Sequence, residues 1–124
     1  MELLKQIFTW WNGTTIGTRI YTWRNGQLIG NDENGNRYYE GRDGRRWLQY
    51  NGYAEPSTIP PGWHGWIHHK VDVAPSQENY SPREWQKPHQ PNLTGTAGAY
   101  RPQGSLLNAK PREIAPDYEA WQPK

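Results

Sequence analysis

The first dozen residues carry apolar side chains at helical spacing. Five apolar positions share one side of a helical projection: Leu3, Leu4, Ile7, Trp10 and Trp11. Polar residues lie opposite, and the Asn12-Gly13 pair that follows is typical of a helix end. The pattern predicts an amphipathic helix within residues 1–13. Because about three helical turns are marginal alone in water, the apolar side must pack on the chain's own sheet, a partner protein or a membrane surface.

Three turn-forming dipeptides recur every nine residues in the next part of the chain: Asn25-Gly26, Asn34-Gly35 and Asp43-Gly44. Each accepts positive φ and suits a tight hairpin. The segments around them are rich in aromatic and β-branched residues, which favour strands. The pattern predicts a four-stranded antiparallel meander, with strands at Thr18–Arg24, Gln27–Asp32, Arg37–Glu40 and Arg45–Tyr50.

Proline divides the chain into two parts. Residues 1–55 contain none, and residues 56–124 contain all 11. Proline disfavours helix interiors and central strands, although Pro61 suits the first turn of a short helix through Trp63–His69. From Val73 onward no helical or strand period is found. We therefore predict a mainly β fold: the N-terminal helix, a small β domain over residues 14–72 that ends with the short helix, and a long extended proline-rich tail over residues 73–124 that binds partners.

Composition limits the core and the chemistry. Val, Ile, Leu and Phe number 17 of 124 residues, almost matched by 8 Trp and 8 Tyr. There are too few aliphatic residues to line the buried sheet of a large α/β enzyme, and so many aromatic residues argue against disorder. The absence of cysteine excludes disulfides, thiolate metal sites and cysteine nucleophiles. No apolar stretch approaches the roughly 20 residues of a membrane span, and the start lacks the features of a signal peptide, so we expect a cytoplasmic protein.

The histidines are the strongest candidates for metal chemistry. On a helix, His64 and His68 would share one face, as metal ligands can. However, no glutamate follows His64 as in the H-E-x-x-H pattern, and spacing singles out no third ligand. Nucleophile-elbow and phosphate-loop motifs are also absent from the sequence. We expect no catalytic residue, no metal and no cofactor, with these imidazoles hydrogen-bonded to backbone or to partner carboxylates.

Nucleic-acid binding is the main alternative at the level of residues. A small β domain with Tyr38 and Tyr39 between Arg37 and Arg42 could stack bases. A phosphate-binding surface normally has a clustered basic excess, whereas here basic and acidic residues are mixed and the formal net charge is +2. We therefore expect no nucleic-acid partner.

Several motifs in a fixed order resemble a known family. They are Gly35–Glu40, Arg45–Gly52, Ile59–His69, His89–Thr96, Ala99–Pro102 and Tyr118–Trp121. Together they are similar to the alpha-subcomplex subunit 12 family of NADH:ubiquinone oxidoreductase (respiratory complex I), in its bacterial form. One departure is Gly62, where mitochondrial members tend to have an acidic residue.

The resemblance implies a non-catalytic accessory subunit that supports assembly and stability of the hydrophilic arm. It would bridge the NADH-oxidising and quinone-reducing modules and carry no cofactor of its own. The implied partners are core subunits of the peripheral arm, in a hetero-oligomer at the cytoplasmic face of the bacterial inner membrane, or on the matrix side in mitochondria. A related assembly factor for the same complex is the alternative.

The expected partner contacts are aromatic, histidine and arginine side chains. They are Trp10, Trp11, Trp47, Trp63, His64, Trp66, His68, Trp85, Tyr100, Arg101, Tyr118 and Trp121. Rigid aromatic side chains along an extended segment suit anchoring in pockets of a larger body. The N-terminal helix is expected to contact the membrane surface.

Overall fold

A computed structural model of the chain describes residues 2–9, 13–102, 104–107 and 118–123. Its elements follow in the order α1 (Glu2–Phe8), α2 (Ile16–Asn25), β1 (Gly26–Asn31), β2 (Arg37–Gly41), β3 (Arg46–Gln49), a 3-10 helix (Pro56–Thr58) and α3 (Pro61–Ile67). All of them lie in the first of two compact units, Met1–Pro91. The described residues of the second unit, Asn92–Lys124, form turns but no helix or strand. The mainly β class with few short helices and an irregular C-terminal part is confirmed, and the segment boundaries at residues 13 and 72 stay a prediction.

The sheet is a three-stranded antiparallel meander in the order β1-β2-β3. Its two hairpin turns lie at the predicted dipeptides Asn34-Gly35 and Asp43-Gly44. The glycines of these turns have positive φ, 81° for Gly35 and 77° for Gly44. At these angles glycine avoids the Cβ penalty of the left-handed region. The predicted turn at Asn25-Gly26 is wrong: Gly26 is extended, with φ of −93°, where α2 passes directly into β1.

The predicted first strand, Thr18–Arg24, is wrong, since these residues form most of α2. The helix begins after Thr15, whose hydroxyl accepts a hydrogen bond from the Thr18 amide at 3.3 Å. The indole Nε1 of Trp47 donates to the Thr22 hydroxyl at 2.9 Å and so ties the helix to the sheet. Alternating and helical spacing both fit this segment, and the cap together with the contact to β3 favours the helix.

The core lies between α3 and one face of the sheet. Its buried apolar residues are Tyr38, Trp63, Trp66 and Ala74. The Tyr38 ring stacks on Trp63 at 4.0 Å between centroids, and Trp66 meets both rings edge-on. Three aromatic side chains thus form the centre of the core, and the partly buried aliphatic residues Ile29, Leu48, Ile59 and Ile67 pack against them.

The short helix α3 forms as predicted, with Pro61 as its first residue. It ends at Ile67 and is capped by His68, whose amide donates to the His64 carbonyl at 3.2 Å. The next residue, His69, has φ of 55°, the left-handed conformation that commonly closes a helix. This closure places the helix over the sheet with Trp63 and Trp66 facing inward.

A bulge in β1 between Leu28 and Gly30 brings the backbone close to α3. A Cβ atom at Gly30 would lie 2.9 Å from the Trp63 ring and 2.9 Å from the Ser76 hydroxyl oxygen. That hydroxyl donates to the Ile29 carbonyl at 3.2 Å. Glycine at position 30 is therefore needed for the close approach of strand, helix and following chain.

The chain between α3 and Pro91 packs against the rest of the first unit. Ala74 is buried in the core, and His89 Nε2 lies 2.7 Å from the Ser57 carbonyl oxygen. Residues that follow the last helix therefore close one side of the aromatic core.

Candidate partner-binding site

A hydrogen-bonded turn around Asp32 holds the β1–β2 hairpin and the edge of the core. One carboxylate oxygen accepts from the amides of Asn34 and Asn36, both at 2.9 Å. The other accepts from the Asn36 side-chain amide at 2.9 Å and from the Tyr38 hydroxyl at 2.8 Å. Asn36 in turn accepts from the Asn51 amide at 3.0 Å. The network fixes Tyr38 in the core and links the hairpin to the segment after β3.

Arg46 anchors the other end of the core. Its guanidinium lies 4.7 Å from the Trp66 ring centroid and donates to the Trp66 carbonyl at 2.8 Å and the Val71 carbonyl at 3.1 Å. Its Nε is 3.2 Å from the Glu40 carboxylate. A largely buried arginine with these acceptors is a structural group that closes the C-terminal end of α3.

Burial raises the pKa of the Tyr38 phenol far above its ordinary value, and the hydrogen bond to the nearby Asp32 carboxylate adds to the shift. The neutral phenol is favoured in the folded state, so this contribution to stability is complete below the unfolded-state pKa of about 10 and is lost as pH rises above it. Burial and the Glu55 charge also raise the pKa of Tyr50.

We expect the free energy of unfolding to fall steeply above about pH 10, with each ionising phenol contributing up to about 1.4 kcal/mol per pH unit. In Tyr38→Phe this alkaline slope should be shallower, because one buried phenol has been removed. Urea titrations at several values of alkaline pH would measure it. Equal slopes in the variant and the original chain would contradict the assigned burial of Tyr38.

The two predicted helical histidines do lie together. The rings of His64 and His68 are 4.3 Å apart between centroids, and both side chains are exposed on α3. Among the residues that the structure describes, no group of three metal-ligating side chains is found. The pair is therefore a small polar surface with hydrogen-bonding nitrogen atoms on the outer side of the helix.

The aromatic residues predicted as partner contacts fall into two groups. Trp63 and Trp66 are only 4% and 1% exposed, so their rings stabilise the first unit and a direct contact with a partner stays a prediction. Trp47 is half-buried between the sheet and α2. Trp10 and Trp11 lie outside the described residues.

The second group is strongly exposed. The exposed fractions are 74% for Trp85, 90% for Tyr100, 75% for Tyr118 and 80% for Trp121. Arg101 is also exposed, and its guanidinium donates to the Leu107 carbonyl at 2.7 Å within the second unit. Side chains of this size that remain in water are the best-placed candidates for contact with another body.

Sequence reasoning missed the exposed apolar residues of α2. Ile16, Ile20 and Trp23 recur at helical spacing, and Trp23 is 86% exposed. This spacing indicates a helix, but it competes with the alternating pattern that predicts a strand over the same residues. Leu106 and Leu107 of the second unit were also missed, although both are exposed.

None of the helices within the described ranges is long and apolar enough to cross a membrane.

Comparison with known proteins identifies similar chains. Residues 26–123 match the model of the family "NADH ubiquinone oxidoreductase subunit NDUFA12". The chain is 46% identical over 86 residues to NADH dehydrogenase [ubiquinone] 1 alpha subcomplex subunit 12 of Dictyostelium discoideum, a match that covers 64% of this chain and 62% of the relative. It is 35% identical over 74 residues to a probable subunit 12 of Caenorhabditis elegans, covering 53% of this chain and 51% of that protein.

A bacterial protein is also similar. An uncharacterized protein of Rickettsia prowazekii is 28% identical over 102 residues, covering 77% of this chain and 85% of the relative. The matched part of the chain thus spans about half to two thirds of the length of the first two relatives but most of the bacterial one.

Proposed function

Since the chain belongs to the NADH ubiquinone oxidoreductase subunit NDUFA12 family, we propose that it is a non-catalytic accessory subunit of respiratory complex I. The names of the two eukaryotic relatives support a place in that membrane-associated assembly. The proposed partners are core subunits of the peripheral arm, in a hetero-oligomer. This chain supplies binding surface, and the redox groups belong to its partners.

The observation that carries the proposal is the row of exposed aromatic side chains on irregular backbone. Trp85, Tyr100 and Trp121 lie mostly in water in the isolated chain, and no helix or strand accompanies them. Large aromatic side chains with few rotatable bonds lose little entropy when a pocket takes them up. Nearby prolines reduce the ordering cost further, because their φ angles are already fixed. These residues anchor the chain in pockets of neighbouring subunits.

We further propose that the chain bridges the NADH-oxidising and quinone-reducing modules and thereby supports assembly and stability of the arm. A segment as long as Asn92–Lys124 reaches on the order of 100 Å when fully extended. The first unit carries the proposed anchor Trp85, and the second carries Tyr100 and Trp121. When one chain binds two modules, the second binding event becomes intramolecular, and the resulting high effective concentration strengthens the association of the modules.

The exposed histidines and the N-terminal helix complete the proposed contacts. His64 and His68 face outward on α3, where their nitrogen atoms can meet carboxylates or carbonyls of a partner. The predicted contact of the N-terminal helix with the membrane is kept as a proposal, since α1 exposes Leu4 and Phe8. The proposed location is the cytoplasmic face of the bacterial inner membrane.

Co-purification tests this function. With an affinity tag on the chain, in cells whose own copy is deleted, we expect the whole NADH:quinone oxidoreductase complex in the eluate. Trp121→Ala and Trp85→Ala should each weaken the association by about 2–4 kcal/mol if they are anchors. NADH oxidation by an artificial acceptor should remain unchanged in complex that still forms, because the chain holds no redox group.

The matched control is Tyr53→Ala, which removes an exposed aromatic residue from the first unit. It should leave co-purification intact. Recovery of the tagged chain alone would contradict the proposed function, whereas full retention of both tryptophan variants would contradict the anchor role of these residues.

A further inference from the structure

The outer face of α2 is apolar, and the described structure leaves it in water. Ile16, Ile20 and Trp23 recur at i, i+4 and i+7, and all three are exposed. The opposite side of the helix meets the sheet, where Thr22 accepts from Trp47 and the Tyr21 ring lies 5.3 Å from the Trp47 ring. The inward side of α2 is therefore already occupied, whereas among the described residues the outer face keeps Ile20 and Trp23 more than half exposed.

Positive charge borders this outer face. On a helical projection Arg19 and Arg24 lie on either side of the apolar stripe, and both are exposed. Residues 3–31 contain Lys5 and these two arginines but no aspartate or glutamate. The even mixture of charges elsewhere in the chain thus does not extend to its N-terminal part.

The neighbouring helix has the same character. The exposed side of α1 includes Leu3, Leu4, Ile7 and Phe8. Arg19 joins the two helices, since its guanidinium donates to the Gln6 side-chain carbonyl at 2.8 Å. Two adjacent short helices therefore present large apolar side chains together with cationic groups and no carboxylate after Glu2.

We propose that the outer face of α2 lies on the surface of an anionic phospholipid bilayer. Helices that lie in the membrane interface combine Trp, Phe and Leu on one side with Lys and Arg on the other. The apolar residues enter the boundary between headgroups and acyl chains, while the long arginine side chains extend back to lipid phosphates. An indole is well suited to this depth because it joins an apolar body to one hydrogen-bond donor.

Charge also distinguishes this occupant from a second copy of the chain. A symmetric pair of outer faces would bring Arg19 and Arg24 of each copy near the same residues of the other, with no carboxylate on α2 itself to compensate. Anionic lipid headgroups supply the missing negative charge. The inference rests on the proposed membrane contact of the N-terminal helix and extends that contact to α2.

Sedimentation of the full chain with lipid vesicles tests the inference. Binding should be strong with vesicles of phosphatidylcholine plus phosphatidylglycerol and weak with phosphatidylcholine alone. Trp23→Ser should weaken it about tenfold or more through lost apolar burial. Each of Arg19→Gln and Arg24→Gln should weaken it about fivefold, and high salt should remove this difference.

Tyr53→Ser is the matched control, because it removes a large exposed aromatic side chain outside α2 that has no proposed role in binding. It should bind vesicles as the original chain does. Absence of binding by the original chain, or equal binding by Trp23→Ser, would overturn the inference. Co-purification of the same variants with the complex separates the two proposals. If Trp23→Ser no longer binds vesicles but still co-purifies with the complex, the lipid contact is supported. If the original chain does not bind vesicles and Trp23→Ser no longer co-purifies, the outer face of α2 binds a protein partner and the inference is overturned.

Discussion

Trp66→Ala should lower the free energy of unfolding of the first unit by about 3–5 kcal/mol, the usual cost of truncating a buried aromatic residue to alanine. Trp66 is the largest fully buried side chain in the described part of the molecule. Its ring meets Tyr38 and Trp63 edge-on and carries the Arg46 guanidinium on its face. Truncation would leave a cavity beside Tyr38 and Trp63, and Arg46 would lose its aromatic partner.

Denaturant titration followed by far-ultraviolet circular dichroism measures this effect. Trp66→Phe serves as a graded variant in case the alanine form does not fold, and it should cost less because most of the ring volume remains. Trp85→Ala removes an exposed indole and should stay within about 0.5 kcal/mol of the original chain. Similar losses for Trp66→Ala and Trp85→Ala would show that the aromatic core is not the main source of stability.

Asp32→Ala is expected to have the second large effect, about 3 kcal/mol or more, because several hydrogen bonds are lost together. The carboxylate accepts four, from the amides of Asn34 and Asn36, from the Asn36 side chain and from the Tyr38 hydroxyl. Its removal leaves the buried Tyr38 hydroxyl and Asn36 side chain short of acceptors, which costs their desolvation as well.

The chain offers a matched control in its second hairpin. Asp43 lies directly before the turn glycine Gly44, and among the described residues its carboxylate accepts from the Arg45 amide at 3.3 Å and pairs with the exposed Arg45 side chain at 3.1 Å. Asp43→Ala should therefore cost less than about 1 kcal/mol. Thermal and urea unfolding of both variants gives the comparison, and equal losses would mean that turn formation, rather than the buried network, sets the cost.

Several features of the fold could be predicted because they depend on local chemistry. The turns at Asn34-Gly35 and Asp43-Gly44 follow from the positive φ that glycine accepts. The start of α3 at Pro61 follows from the fixed φ of proline. The irregular C-terminal part follows from the spread of prolines and the loss of any apolar period.

Other features could not be predicted from neighbouring residues alone. The segment Thr18–Arg24 has alternating and helical spacing at once, and contact with Trp47 decides between them. Among the predicted partner contacts, sequence could not separate Trp66, which is buried, from Trp121, which is exposed. The apolar outer face of α2 could not be predicted either, because a strand would place Ile20 and Trp23 on opposite faces.

The sequence by itself determined the family, through the order of its motifs. It also determined the two hairpin turns and the helix that begins at Pro61, because turn chemistry and proline act over a few residues. Only the tertiary structure decided which indoles form the core and which remain in water. Burial depends on residues far apart in the chain, such as Tyr38 and Trp63, or Arg46 and Trp66, coming together. The surfaces that we propose for a bilayer and for partner subunits are those that remain exposed once these contacts have formed.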